Sequence, residues 1–180
     1  LSDIKASRDD QIYLIDTDVL AVVNNRSDSQ RIYKGLIAMA EAMKLHTVRQ
    51  VFDELKRFPG AYAALRAHRQ TFEIPAKKQY ESRVQEFIEI LGNEMPSLCE
   101  PTGRGSNPDP ADPWIVAVAA TYRYTVVTNE SQRSPLKIPA ACSLAKIKCR
   151  CIHGPHFLYE VGMVKEFKPE HIDPAAFFRS

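Results

Sequence analysis

Four acidic residues stand where the chain can gather them: Asp16, Glu54, Asp112 and Glu130. Asp16 ends the apolar run QIYLI, Gln11 to Ile15, and Glu130 lies just past the β-branched run TVVT, Thr125 to Thr128. Short apolar runs of this kind read as buried parallel strands. Parallel sheets collect ligands beyond the carboxyl ends of their strands, so Asp16 and Glu130 are expected on one rim. Asp112 precedes Pro113 and reads as the N-cap of an apolar helix, Trp114 to Ala120, with the proline in the first helical position. There the positive helix end favours an ionised side chain, although an N-cap aspartate is also an ordinary structural device. Glu54 falls in a helix expected from Val48 to Arg57. With Leu55 near the centre of its apolar stripe, Glu54 lies about 100° to one side and Asp53 about 160° away. Glu54 therefore sits at the core margin, within reach of a pocket rim. Four carboxylates brought together repel one another unless hard cations neutralise them. Mg2+ or Mn2+ held there would polarise a phosphate, supply a hydroxide nucleophile and stabilise the leaving oxygen. The chemistry expected is phosphodiester hydrolysis.

Strands and helices must hold these residues. Ser27 and Gln30 have capping-box spacing ahead of a helix from about Asp28 to Lys44, and Thr47 and Gln50 repeat that spacing before the helix that carries Glu54. Further helices are expected at about Ala61 to Gln70 and Ala76 to Leu91. The latter turns Tyr80, Val84, Phe87, Ile88 and Leu91 inward and stops at Gly92. The proline- and glycine-rich stretch from Met95 to Pro113 reads as a loop. Its Gly103-Arg104-Gly105-Ser106 lacks the lysine ending of a phosphate-cradling loop. A short helix near Pro139 to Lys146, a strand near Lys148 to Ile152 and a helix near His156 to Val164 complete the chain. Alternating strands and helices predict an α/β fold of three layers, α/β/α, around a central, mostly parallel sheet. One domain is expected over residues 1–180, with a core at about 11–164 and terminal extensions at 1–10 and 165–180.

The 180 residues are 44% hydrophobic and 26% charged, which excludes a disordered or fibrous class. A net charge of +2 does not announce a nucleic-acid binder. Basic residues do cluster at Arg66, Arg69, Lys77, Lys78 and Arg83, and again at Arg133, Lys137, Lys146, Lys148 and Arg150, where phosphates or plain solvent could meet them. No apolar run approaches membrane-spanning length and the start lacks a signal pattern, so a cytoplasmic protein without membrane partners is expected. The first residue, Leu1, is not Met, which suggests a trimmed or partial chain. Cys99, Cys142, Cys149 and Cys151 are too few for a disulfide scaffold. Cys149, Cys151 and His153 would share one face of a strand, with His156 nearby, and could bind a metal or simply be buried.

The runs IDTDVL (Ile15 to Leu20), VFDELKR (Val51 to Arg57), ADPWIVAVA (Ala111 to Ala119) and VVTNE (Val126 to Glu130) resemble the four ordered motifs of PIN-domain ribonucleases. The similarity is closest to virulence-associated toxins and to an uncharacterised PIN-like branch, and it spans roughly Ile12 to Ile152. The resemblance implies a metal-dependent endoribonuclease, the toxin of a toxin–antitoxin pair, with RNA as substrate, an antitoxin partner and often a homodimer. It makes Asp16, Glu54, Asp112 and Glu130 the catalytic metal ligands and Thr17 and Thr128 supporting hydroxyls. Glu130 stands where Asp is commoner and binds either directly or through water. Asp18 stands where Asn or Ser is frequent and reads as a structural cap.

Two rivals remain open. Asp16-Thr17-Asp18 after an apolar strand also resembles the opening motif of aspartyl-nucleophile phosphatases, in which Asp16 would attack phosphate. A PIN fold that only binds RNA or protein is the other. Trp114 is expected in the core rather than as a base-stacking platform.

Overall fold

A computed structural model describes residues 11–101 and 109–166. Strand β1 (Tyr13–Ile15) runs into α1 (Thr17–Val23), and α2 (Ser29–Glu41) leads to β2 (Leu45–His46). Next come α3 (Arg49–Leu55), α4 (Pro59–Leu65), a 3-10 turn at Arg66–His68, α5 (Arg69–Phe72), α6 (Ala76–Gln79), α7 (Ser82–Glu94) and α8 (Pro96–Cys99). The chain closes with α9 (Ala111–Tyr122), β3 (Thr125–Thr128), α10 (Ile138–Ser143), β4 (Cys151–His153) and α11 (Gly154–Glu160). The four strands form one all-parallel sheet in the order β2-β1-β3-β4, flanked by helices in the α/β arrangement expected.

β1 sits between β2 and β3, pairing Tyr13 with Leu45 and Thr125, and Ile15 with Val127. Its three residues are buried because both faces of a central parallel strand are covered. α9 packs on β1 and β3, and its apolar residues from Ala111 to Ala119 are all buried except Trp114, which is partly buried and packed against the core. Tyr13 meets Phe157 of α11 edge to face at 4.9 Å. Ile15→Val, which removes one methyl from a fully buried position, is expected to lower unfolding free energy by about 1 kcal/mol in a denaturant titration without moving the slope.

Several local expectations are corrected. Neither capping box forms. Asp28 caps α2 without a side-chain cap bond and pairs instead with Arg26 and Arg31. Val48 caps α3, while Thr47 Oγ1 donates to Ile15 O at 2.8 Å. Gln50 is buried, donating to Asp109 Oδ2 and accepting from Gln79 Nε2, both at 2.6 Å. Asp112 is not the N-cap of α9: Pro110 is, and both Asp112 and Pro113 lie inside the helix. The expected Ala76 to Leu91 helix breaks into α6 and α7, leaving Tyr80 at 43% exposure with its ring 5.1 Å from Trp114. α7 runs past Gly92 to Glu94, since a helical glycine with open space about it costs little beyond entropy. Trp114 is only partly buried, and its Nε1 donates to Asp109 Oδ1 at 2.6 Å. α8 lies within the expected loop, and the stretch Gly103 to Ser106 is outside the described residues.

Candidate functional site

Asp16 stands directly after β1, its N–H still donating to Val127 O at 3.0 Å as β1 leaves the sheet. It caps α1: one carboxylate oxygen accepts from Thr17 N at 2.6 Å and the other from Thr128 Oγ1 at 3.0 Å. Two residues on, in the first turn of α1, Asp18 accepts from Asn129 N at 3.0 and 3.1 Å. The cap expected at Asp18 is therefore Asp16, and Asp18 ties α1 to the end of β3.

Glu54 reaches from α3 to two distant elements. Its Oε2 accepts from Thr17 Oγ1 at 2.7 Å and its Oε1 from Ala111 N at 2.9 Å, the first N–H of α9. Asp53, expected in solvent, is half-buried and pairs with Lys56 at 2.8 Å, with Arg49 and Arg69 near it. Glu130, two residues past β3, is held from the opposite side. Ile138 N donates to its Oε2 and Lys137 Nζ pairs with its Oε1, both at 2.7 Å. Thr128 Oγ1 accepts from Glu130 N at 3.1 Å, so one hydroxyl links Asp16 to Glu130.

These side chains line one cleft of about 250 Å³ at the carboxyl end of the sheet. Asp16, Asp18, Glu54, Glu100, Asp112 and Glu130 face it, against Arg57 and Lys137 as the basic lining residues among those described. Phe58 and Leu136, both exposed, add an apolar rim. Charge crowding leaves its mark on the acids. Burial, then Asp18, Asp112 and Glu130, push the Asp16 carboxyl well above the usual range. Burial raises Asp18 to about 6 against the opposing Asn129 N–H bond. Asp112 is pushed to about 7 by burial, Glu130 and Glu54, with Lys137 working against them. The bond to Glu130 raises Lys137.

A protein-family model described as a domain of unknown function, DUF4411, matches residues 13–163. The chain belongs to the DUF4411 family. No curated protein matches it. The DUF4411 match begins at β1 and ends beyond α11, so every cleft residue named above lies within it.

Among the described residues of this DUF4411 chain, no group of three or more His, Cys, Asp or Glu side chains is drawn up around one point as a finished metal site. Asp16, Asp18, Glu54 and Glu130 are turned instead to protein donors. The donor set nevertheless fits a hard divalent cation: all oxygen, strongly acidic, buried at Asp16, and answered among the described residues by Arg57 and Lys137 alone. Asp16 and Asp112, whose charges the protein itself leaves least compensated, are the residues that would hold the ion. Glu54 and Glu130 brace the elements around them.

Sequence reasoning reads Asp18 as a helix cap and misses both its tie to Asn129 and the role of Lys137 in the cleft. The Asp16-Thr17-Asp18 spacing was the available signal for Asp18. Lys137 was grouped with residues open to phosphate. Of its group, Arg150 pairs with Glu160 and Lys146 with Glu94 instead. In the earlier group, Arg83 pairs with Glu86 and Arg69 with Glu73. His153 turns its Nε2 to Asn129 O at 3.1 Å, into the protein.

Proposed function

We propose that this protein is a metal-dependent endoribonuclease of PIN type, hydrolysing RNA phosphodiester bonds with Mg2+ or Mn2+. In the same reading it is a cytoplasmic toxin with a cognate antitoxin, and it works alone or as a homodimer. Among the described residues no helix is long and apolar enough to cross a membrane, in keeping with a substrate met in solution. One observation carries the reading: acids from five separate stretches of chain (Asp16 with Asp18, Glu54, Glu100, Asp112 and Glu130) crowd one cleft at the sheet's carboxyl edge, with mutual repulsion that a divalent cation would relieve.

A bound cation would supply Lewis-acid polarisation of the scissile phosphate and activation of the attacking water. The chain's own residues do the rest. Asp16, fixed by Thr17 N–H and the Thr128 hydroxyl, presents charge at an invariable position. Asp112, crowded by Glu130 and Glu54, adds the second uncompensated carboxylate, which with Asp16 would hold the cation beside the phosphate. Arg57 and Lys137 can receive phosphate oxygens at the cleft margin.

The test is incubation of purified protein with single-stranded RNA in Mg2+ or Mn2+, with and without chelator. Cleavage that stops on chelation is the expected result, and cleavage undiminished by chelator would defeat the proposal. A phosphoryl group trapped on Asp16 would instead favour the phosphatase reading. Glu130→Gln is expected to be milder than changes at Asp16, lowering the rate about tenfold. The amide keeps an oxygen for Ile138 N and loses only the ion pair with Lys137.

A further inference from the structure

Away from the acidic cleft, three of the four cysteines meet. Cys142, only 2% exposed, lies near the end of α10, and the thiols of Cys149 and Cys151 both come within hydrogen-bonding reach of its sulfur. The main chain enforces part of this. Lys148 takes a left-handed φ of 47° and turns the chain back, and Cys149 N donates to Cys142 O at 3.1 Å. That bond holds the two Cα atoms within about 7 Å, close to the span of about 4.4–6.8 Å that disulfides bridge. All three thiols are free. Cys149 and Cys151 are partly exposed whereas Cys142 is buried behind them, so a small oxidant meets the outer sulfurs first. Hydrogen bonds with Cys149 and Cys151, together with burial, push the Cys142 thiol up, so it keeps its proton until a partner takes it.

We propose that Cys149 and Cys142 form a hydroperoxide-responsive thiol pair, with Cys149 as the sulfur attacked by oxidant and Cys142 as the resolving thiol. The Cys149 thiolate attacks the terminal peroxide oxygen, the O–O bond breaks, and the departing alkoxide or hydroxide takes up a proton. Cys149 is then a sulfenic acid. The Cys142 sulfur attacks the Cys149 sulfur, the S–O bond breaks, and the Cys142 proton leaves with that oxygen as water. Two thiols have lost two electrons to one hydroperoxide, giving a disulfide, water and an alcohol, or a second water when the oxidant is hydrogen peroxide.

Peptide mapping reads this directly. Trypsin cuts after Lys137, Lys146, Lys148 and Arg150, which places Cys142, Cys149 and Cys151 on three separate peptides. The full chain is treated with a small excess of hydrogen peroxide, alkylated and digested. The expected product joins the Cys142 and Cys149 peptides, with loss of two titratable thiols that dithiothreitol restores. Cys149→Ser should move the link to Cys151, and Cys142→Ser should leave a Cys149 sulfenic acid that dimedone traps. If Cys142 stays fully alkylatable while Cys149 proceeds to sulfinic acid, or if wild-type protein links only Cys142 to Cys151 or uses Cys99, the proposal is overturned. Wild-type mapping alone decides the matter should a variant fail to fold.

Discussion

Asp16→Asn is expected to reduce metal-dependent RNA cleavage by at least about a hundredfold while leaving the protein folded. The amide preserves the size of a side chain at 4% exposure and keeps an oxygen for Thr17 N, so far-ultraviolet dichroism should be unchanged. It removes the charge that a hard cation requires. The same variant should abolish the rise in melting temperature that Mn2+ gives the wild type. That rise corresponds to about 2.7 kcal/mol when free metal is a hundred times its dissociation constant. Activity and metal-induced stabilisation must fall together. A variant that keeps the Mn2+ shift but loses cleavage would move Asp16 from holding the ion to another role, and one that keeps both would end the proposal.

Asp112→Asn is expected to make the metal-free protein more stable than wild type, and only at higher pH. The sign follows from proton binding. Asp112 has its folded value raised to about 7, so the native state holds a proton that the unfolded chain releases at lower pH. Stability from this group is fully present below the unfolded carboxylate value. It is lost as pH rises through the folded one, and the charge then costs on the order of 2–4 kcal/mol. Asp16 and Asp18 shift in the same direction. His46 and His153, lowered by burial, work in the opposite direction, so wild-type melting alone does not isolate the effect. The difference between variant and wild type does. In chelator the two melting temperatures should nearly coincide at about pH 4 and separate by several degrees at about pH 8, with the asparagine protein higher. Adding Mn2+ at about pH 8 should close or reverse the gap. A variant less stable than wild type at about pH 8 would mean that Asp112 is satisfied by the protein as it stands.

Much of this was readable along the chain because it depends on period and element ends. QIYLI and TVVT are short apolar runs that stop at polar residues, which suffices to place Asp16 and Glu130 on one rim. The helical angle from Leu55 set Glu54 at the core margin, as its partner Thr17 reflects, whereas Asp53, expected in solvent, is half-buried among Arg49, Lys56 and Arg69. The two-residue strand Leu45–His46 has no periodicity to detect. The caps failed for a different reason. Thr47 has the right chemistry, but a β1 carbonyl takes its hydroxyl; the N-cap of α2 falls one residue past the expected Ser27, at Asp28, whose carboxylate two arginines take. Strand β4 began three residues later than expected because Lys148 and Cys149 are held in a turn against α10. Asp18 reads as a local cap because its actual partner, Asn129, is over a hundred positions away.

The strand order has a consequence in time. β1 is made early yet sits in the middle of the sheet, and it must wait for β3 to supply its second neighbour. Asp16 likewise waits for Thr128, Glu54 for Ala111 and Glu130 for Ile138. At synthesis rates of about 5–20 residues per second, on the order of ten seconds separate the emergence of Asp16 from that of Ile138. Until then the acids are scattered and hydrated on a growing chain, and no cleft exists. A ribonuclease built in this order would be harmless to the transcript and ribosome producing it until translation of the cleft was complete.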